Sequence, residues 1–514
     1  MKPRAAPITL VLGLLGACGG LRADPRPAPL FSDHAVLQRG VTVPVWGTAD
    51  AGEKITVTYR GASATAVADE RGQWRVALPP MQPGPAADLA VQGKISFVAR
   101  DVVIGDVWLL TGQSNMELAL SRAADGADAA AAADLPWLRH LKVPHRVSDH
   151  AETVFTAAWV PSSPPTAPSF SAVGFFFARH LYRDDKVPVG LLNVSRGGTT
   201  IEAWMSPRAV QQAAYGPVIA QRWQEVVTAF PRLRARYEAD RTAWERAKAR
   251  AEAAGEKFTA AAPPAPPGPG RDEQLSGLFH GMMAAVLPFA VRGVVWYQGE
   301  SNVGRPSEYA DLLAAMIKDW RSGFEHPALP FFVVQLPNYQ ERKLTEAGWA
   351  GVRAAQAKVV RDDPRAHLAV TIDVGDSHDK HPRNKSEVGR RLALLARRHV
   401  FGEPIAADSP VVKLARRDGR EARLDFETQG AGLVLRAVAA AALPPFEIAG
   451  ADLAFVPATA RLVGDTLIVG AASVREPCFV RYLQQEDPSP CLFTADGLPA
   501  APFQVFVRQP AEKP

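Results

Sequence analysis

Val102-Val-Ile-Gly-Asp-Val-Trp-Leu-Leu-Thr-Gly-Gln-Ser-Asn-Met116 begins as a run of branched and aromatic residues and ends in the polar cluster Gly112-Gln-Ser-Asn115. A run so apolar suits a strand buried on both faces, as in a parallel sheet covered by helices. Open parallel sheets bind ligands beyond the carboxyl ends of their strands, which is where this cluster falls. Ser114 has two readings. It is a nucleophile that needs a positioned base, or it is the N-cap of a following helix.

Outward from this stretch the pattern repeats. Val187 to Val194 reads as a strand ending at Ser195-Arg-Gly-Gly198, and Val291 to Tyr297 as one ending at Gln298-Gly-Glu-Ser-Asn302. Leu329 to Leu336 and His367 to Val374 read as further strands, and Ala172 to Arg183 and Glu387 to His399 as helices. Strands alternating with helices over residues 101–402 predict an α/β unit with a parallel sheet. Gly197 and Gly198 let the backbone approach a ligand closely, and the Gln298 and Asn302 amides can donate to developing negative charge. Taken alone, the glycine pair is more often just a turn, and Glu300 either orients a base or pairs structurally. A fourth cluster, Asp376-Ser-His-Asp-Lys-His381-Pro382, adds imidazoles able to move a proton near neutral pH and carboxylates able to orient them. His378 and His381 compete as base, and Asp376 and Asp379 as its partner.

The flanks differ. Residues 24–100 and 403–514 carry short β-branched runs between turn formers, which predicts a sandwich-like N-terminal domain and a β-rich C-terminal region. Residues 208–275 interrupt the α/β rhythm with charged helical sequence (Arg232 to Glu252) and the Pro-rich stretch from Ala260 to Gly270, a surface excursion. With 514 residues, 47% hydrophobic and 22% charged, the chain is globular and holds two or three domains.

Lys2 and Arg4 ahead of an apolar run from Ile8 to Leu15 read as a secretory signal peptide over residues 1–23. The alternative is a lipoprotein leader with Cys18 lipidated. The protein is therefore expected to be exported, periplasmic or extracellular, without a transmembrane span. Loss of Lys2, Arg4 and Arg22 with the leader takes the formal charge from +5 to +2, which is no footprint for nucleic acid. Cys478 and Cys491 then remain, as a disulfide or as two separate thiols. No cysteine or histidine spacing suggests a structural metal.

The clusters in their order, with further matches, are similar to the sialate O-acetylesterase family within the SGNH-type hydrolases. The matching stretches are Leu30-Phe-Ser-Asp33, Val36-Leu-Gln38, Val43-Pro-Val-Trp-Gly47, Gly105-Asp-Val-Trp108, Gly112-Gln-Ser-Asn-Met116, Gly197-Gly-Thr199 with Trp204, Arg292 to Asn302, His381-Pro-Arg-Asn-Lys385 with Gly389-Arg390, and Gly497-Leu-Pro-Ala500. The resemblance implies a three-layer α/β/α SGNH-like domain with flanking β structure, and acyl-enzyme chemistry without metal or cofactor. It makes Ser114 the nucleophile, His381 the base and Asp379, two residues before it, the orienting carboxylate. The oxyanion hole would combine Ser114 N–H, Gly197 or Gly198, and Gln298 or Asn302, because the superfamily's Gly-x-Asn-Asp pattern is absent. Lys380 departs from the apolar residue common before His-Pro in relatives.

The implied partner is an O-acetylated sugar or glycan. Sialic acid comes first and acetylated plant polysaccharide such as xylan is the alternative. A non-catalytic carbohydrate-binding protein on this scaffold is the reading from another class, and the intact Ser114, His381 and Asp379 argue against it. Arg196 and Arg383 are candidates to pair with a sialate carboxylate.

Overall fold

The computed structural model describes residues 26–182, 186–340, 348–439 and 442–509. Its spine is the 17-residue strand Ser96–Gly112 (β1), whose two halves do different work. The first half is partly exposed and pairs antiparallel with Ala87–Gln92 of the N-terminal β structure. From Val102 onward every residue is buried, as its uninterrupted apolar character requires. One strand thus runs through the boundary expected near residue 100.

The other strands are Leu135–Lys142 (β2), Val160–Ser162 (β3), Val189–Ser195 (β4), Gly293–Tyr297 (β5), Phe331–Val334 (β6) and Ala366–Ala369 (β7). Their order is β3-β2-β4-β1-β5-β6-β7. Neighbours are parallel except that β3 runs antiparallel to β2, so the sheet is mixed rather than purely parallel. The chain fills the sheet on one side of β1 with β2 to β4, then continues on the other side with β5. That reversal places the ends of β4, β1 and β5 side by side, with Ser195 and Tyr297 both in register with Gly112.

Helices follow as Ser114–Glu117 (α1), Ala172–Leu181 (α2), Gly216–Ala253 (α3), Pro306–Gly323 (α4), Gly348–Asp362 (α5) and Ser386–His399 (α6). Trp108 and Leu110 pack with Phe176 and Phe177 of α2 and Leu392 and Leu395 of α6. Leu109, Val294 and Trp296, on the opposite face, pack with Leu313 and Trp320 of α4 and Val352 of α5. Ser171 caps α2 by accepting from Gly174 N–H.

Strands β2 and β3 and helices α4 and α5 were not expected from sequence. Leu135-Pro-Trp-Leu-Arg-His-Leu-Lys142 hides its strand character behind buried polar side chains. Tertiary partners hold them: Arg139 donates to the Asp101 carbonyl at 2.5 Å, and His140 stacks on Phe170 at 4.5 Å with its Nε2 3.4 Å from Asn193 Nδ2. The charged helical sequence begins earlier than expected. Helix α3 runs 38 residues through Pro231, supported on its exposed surface by pairs such as Arg234–Glu238 and Arg241–Glu245. Its Trp244 indole donates to Ala260 O and ties down the Pro-rich return.

The C-terminal region is β-rich as expected, with two four-stranded sheets and a two-stranded one among its described residues. Cys478 and Cys491 are free thiols, so the disulfide alternative is corrected. Cys478 precedes the strand Phe479–Tyr482, and Cys491 donates its backbone N–H to Tyr482 Oη at the far end. Burial pushes the Cys491 thiol up to about 11. The segment read as a leader, Cys18 included, lies outside the described residues. Among those residues no helix is long and apolar enough to cross a membrane.

Candidate active site

At the end of β1 the chain must turn within one residue. Gly112 does so at φ +122°, and a Cβ there would lie 2.2 Å from the Tyr297 carbonyl oxygen. That carbonyl accepts Gln113 N–H at 3.0 Å, which sets the start of α1. Gln113 O caps the helix by accepting from Met116 and Glu117 N–H, and Ser114 is its first residue. The N-cap is therefore Gln113, and the Ser114 hydroxyl is left for other partners.

Ser114 Oγ lies 2.7 Å from His381 Nε2, across 267 residues of sequence. The structure thus brings together the two leading residues expected from sequence. Burial depresses the His381 pKa below its ordinary 6.5, helped by Lys380 and opposed by Asp379. Asp379 is the carboxylate beside it. Its Oδ1 accepts His381 backbone N–H at 2.8 Å and stands 3.8 Å from Nδ1, close enough to attract a charged imidazole but long for a hydrogen bond. Asp376 instead accepts the His378 and Asp379 N–H groups and shapes the loop, and His378 is exposed.

The oxyanion candidates separate. Gly197 N–H is donated to Glu117 Oε2 at 2.8 Å, and Lys142 holds the other oxygen of that carboxylate. A Cβ on Gly197 would stand 3.2 Å from Ser114 Cβ, so this glycine packs directly against the Ser114 turn. Gly198, at φ +77°, has open space around it. Neither Ser114 N–H nor Gly198 N–H has an acceptor among the described residues.

Gln298 and Asn302 are turned inward, each side-chain amide engaged by buried neighbours. Gln298 Nε2 faces Gln113 Oε1, Thr199 O and Asn302 Oδ1, while its Oε1 accepts Tyr309 Oη. Asn302 donates to Glu202, whose carboxylate is held by Arg305. These buried amides tie the Gly197 loop to the end of β5.

Two buried residues beside the pair escaped sequence reading, Asn115 and Lys385; Glu300 joins them as the structurally paired carboxylate that was one of its two readings. Asn115 Nδ2 donates to Glu300 Oε1 at 2.5 Å and Lys380 O at 2.9 Å, and its Oδ1 accepts Lys385 Nζ at 2.6 Å. Burial pushes Lys385 down to about 7 and Glu300 upward. The available signal was that Asn115 and Lys385 lie inside motifs already singled out.

The C-terminal β structure reaches the same neighbourhood. Asn338 Nδ2 donates to Asp487 at 2.9 Å while its Oδ1 accepts Gly375 N–H at 2.9 Å, so the loop carrying His381 is braced from residue 487. Buried Arg353 adds donations to the Pro337 and Glu486 carbonyls, both 3.1 Å.

Among the described residues, one His/Asp group gathers ligand-type atoms: His367, His399 and Asp408. Its two rings stack at 3.9 Å nearly in parallel, so their lone pairs run side by side rather than converging. His399 Nε2 already meets both Asp408 oxygens, at 2.9 and 3.0 Å. This is a hydrogen-bonded His–Asp pair with a stacked second ring.

The family model for sialic acid-specific acetylesterases among the carbohydrate esterases matches residues 104–235 and 274–397. The gap between its two segments covers the distal part of α3 and the Pro-rich return. A solved carbohydrate acetylesterase from Xanthomonas citri is 36% identical and superposes with a TM-score of 0.78, covering 94% of this chain and 99% of that one. Sialate O-acetylesterase of Mus musculus is 29% identical over 416 residues, 74% of each chain. The Homo sapiens protein is 29% identical over 416 residues, 74% of this chain and 71% of its own. The chain is an esterase and belongs to the family of sialic acid-specific carbohydrate acetylesterases.

Proposed function

We propose that the protein removes O-acetyl groups from sialic acid by a serine acyl-enzyme route, on a three-layer SGNH-type scaffold. The observation that carries the reading is the 2.7 Å contact between Ser114 Oγ and His381 Nε2. His381 takes the hydroxyl proton as Ser114 Oγ bonds to the acetyl carbonyl carbon. The oxygen that gains charge lies against Ser114 N–H and Gly198 N–H, two donors without another acceptor among the described residues. Collapse breaks the ester bond, and His381 returns the proton to the departing sugar hydroxyl. Water, deprotonated by the same imidazole, then attacks the acetyl-serine, releasing acetate and restoring Ser114. Asp379 stabilises the transient imidazolium at 3.8 Å rather than through a short hydrogen bond. Residues 1–23 are proposed to act as an export leader, which places the enzyme where extracellular glycans occur.

His381 must be neutral to act as base. Its depressed pKa means that the acid limb of kcat/KM should lie below pH 6.5. A pH profile with half-maximal activity above that value would contradict the environment described for the imidazole.

Sialate differs from neutral acetylated sugars by its carboxylate. Arg196 precedes the Gly197–Gly198 turn and is oriented by Asp272, 2.8 Å from its Nε. Arg383 donates Nε to Arg122 O and is exposed. Acetate release from O-acetylated sialic acid and acetylated xylo-oligosaccharide tests the substrate. Arg196→Ala is expected to lower kcat/KM on the sialate by roughly 10-fold or more while sparing the neutral sugar. An equal loss on both would remove Arg196 from carboxylate recognition.

A further inference from the structure

We propose that Asn115 is a positioning residue that fastens the His381 loop to the Ser114 turn, and that buried Lys385 and Glu300 fix the direction of its amide. The inference rests on the Ser114–His381 reading above. Asn115 follows Ser114 directly and is fully buried. Both amide hydrogens are spent, one on Glu300 Oε1 at 2.5 Å and one on Lys380 O at 2.9 Å, while Oδ1 receives Lys385 Nζ at 2.6 Å. Turned by 180°, the amide would point N–H at an ammonium and C=O at a carboxylate and a carbonyl. The flanking charges therefore impose one orientation. Lys380 immediately precedes His381 and Lys385 immediately precedes α6, so a single side chain grips the catalytic loop at both ends.

Burying an ammonium is costly unless the surroundings compensate. Here Lys385 Nζ lies 5.1 Å from the Tyr297 ring centre, and Glu300 supplies the opposite charge. No step of acyl transfer uses any of the three side chains. The arrangement is mechanically sufficient to set where the imidazole sits.

The charges also act on the base. The ionisable groups that bear on His381 are Lys380, Asp379, Lys385 and Arg122, and Lys385 is among the cations that depress it. Glu300 and Asp379 in turn favour the charged form of Lys385. Removing the Lys385 charge should raise the His381 pKa, whereas a purely structural loss would lower kcat without moving the acid limb.

The test uses the full-length protein carrying Lys385→Met, with kcat, KM and the pH profile of kcat/KM read on O-acetylated sialic acid and on p-nitrophenyl acetate. The expected result is a kcat lowered roughly 10- to 100-fold, a KM changed by less than about twofold, and an acid limb displaced to higher pH. Glu300→Gln keeps the volume and the acceptor but removes the charge that favours protonated Lys385. It should give a smaller loss with displacement in the same direction, and it decides by the same criteria if Lys385→Met does not fold. Wild-type kcat with an unmoved limb overturns the proposal. If Ser114→Ala is inactive while Lys385→Met behaves as wild type, only the positioning role falls. If Ser114→Ala remains active, the catalytic assignment falls and this inference with it.

Discussion

Ser114→Ala should abolish acetate release while leaving the protein folded. The substitution removes one hydroxyl whose described side-chain partner is His381, so no buried network loses a member. Removing the nucleophile of a well-studied triad enzyme costs on the order of 10⁶-fold in kcat, because binding and oxyanion donors alone cannot replace the covalent route. The measurement is acetate released from O-acetylated sialic acid, with circular dichroism and a melting curve to establish the fold. Activity within about tenfold of wild type in a folded Ser114→Ala protein, set against the full triad effect, would remove Ser114 from its role. If the wild-type protein released acetate from neither sialate nor xylo-oligosaccharide, attention would turn to other acetylated glycans and then to carbohydrate binding without catalysis.

Gly112→Ala is expected to cost both stability and activity. The residue sits at φ +122°, where an L side chain is strained, and its Cβ would fall 2.2 Å from Tyr297 O and 2.7 Å from Tyr297 C. Neither atom is a flexible side-chain end; both belong to the neighbouring central strand. Backbone strain of ~1–3 kcal/mol adds to overpacking of ~1–3 kcal/mol, so a loss of about 3 kcal/mol or more in urea unfolding is expected. The same clash pushes away the carbonyl that accepts Gln113 N–H, so the Ser114 turn shifts away from His381. A stable Gly112→Ala enzyme with wild-type kcat would show that this turn tolerates displacement.

The parallel core of the fold was legible because its strands are buried on both faces and therefore have nearly continuous apolar sequences, as in Val102 to Leu110 and Gly293 to Tyr297. The edge was not. Leu135–Lys142 buries Arg139 and His140, and their partners, Asp101 and Phe170, are 38 and 30 residues away in sequence. The long helix Gly216–Ala253 was read only in its charged portion, and it continues through Pro231, which is exposed on its surface.

At the site, sequence by itself determined the chemistry-bearing residue types. Ser114 lies behind a buried strand, two adjacent glycines behind another, and imidazoles with carboxylates on a late loop, in an order that resembles one esterase family. Tertiary structure decided among the candidates. Gly197 and Gly198 are equivalent in sequence, yet only Gly197 N–H faces the Glu117 carboxylate. Asp379 and Asp376 are equally acidic, yet only Asp379 approaches the His381 ring within 4 Å. Gln298 and Asn302 could each donate outward, but acceptors on Thr199, Gln113 and Glu202 turn them inward. The physical reason is common to all three choices. A hydrogen bond depends on direction and on a partner brought close by folding, and those partners come from chain segments far apart in sequence.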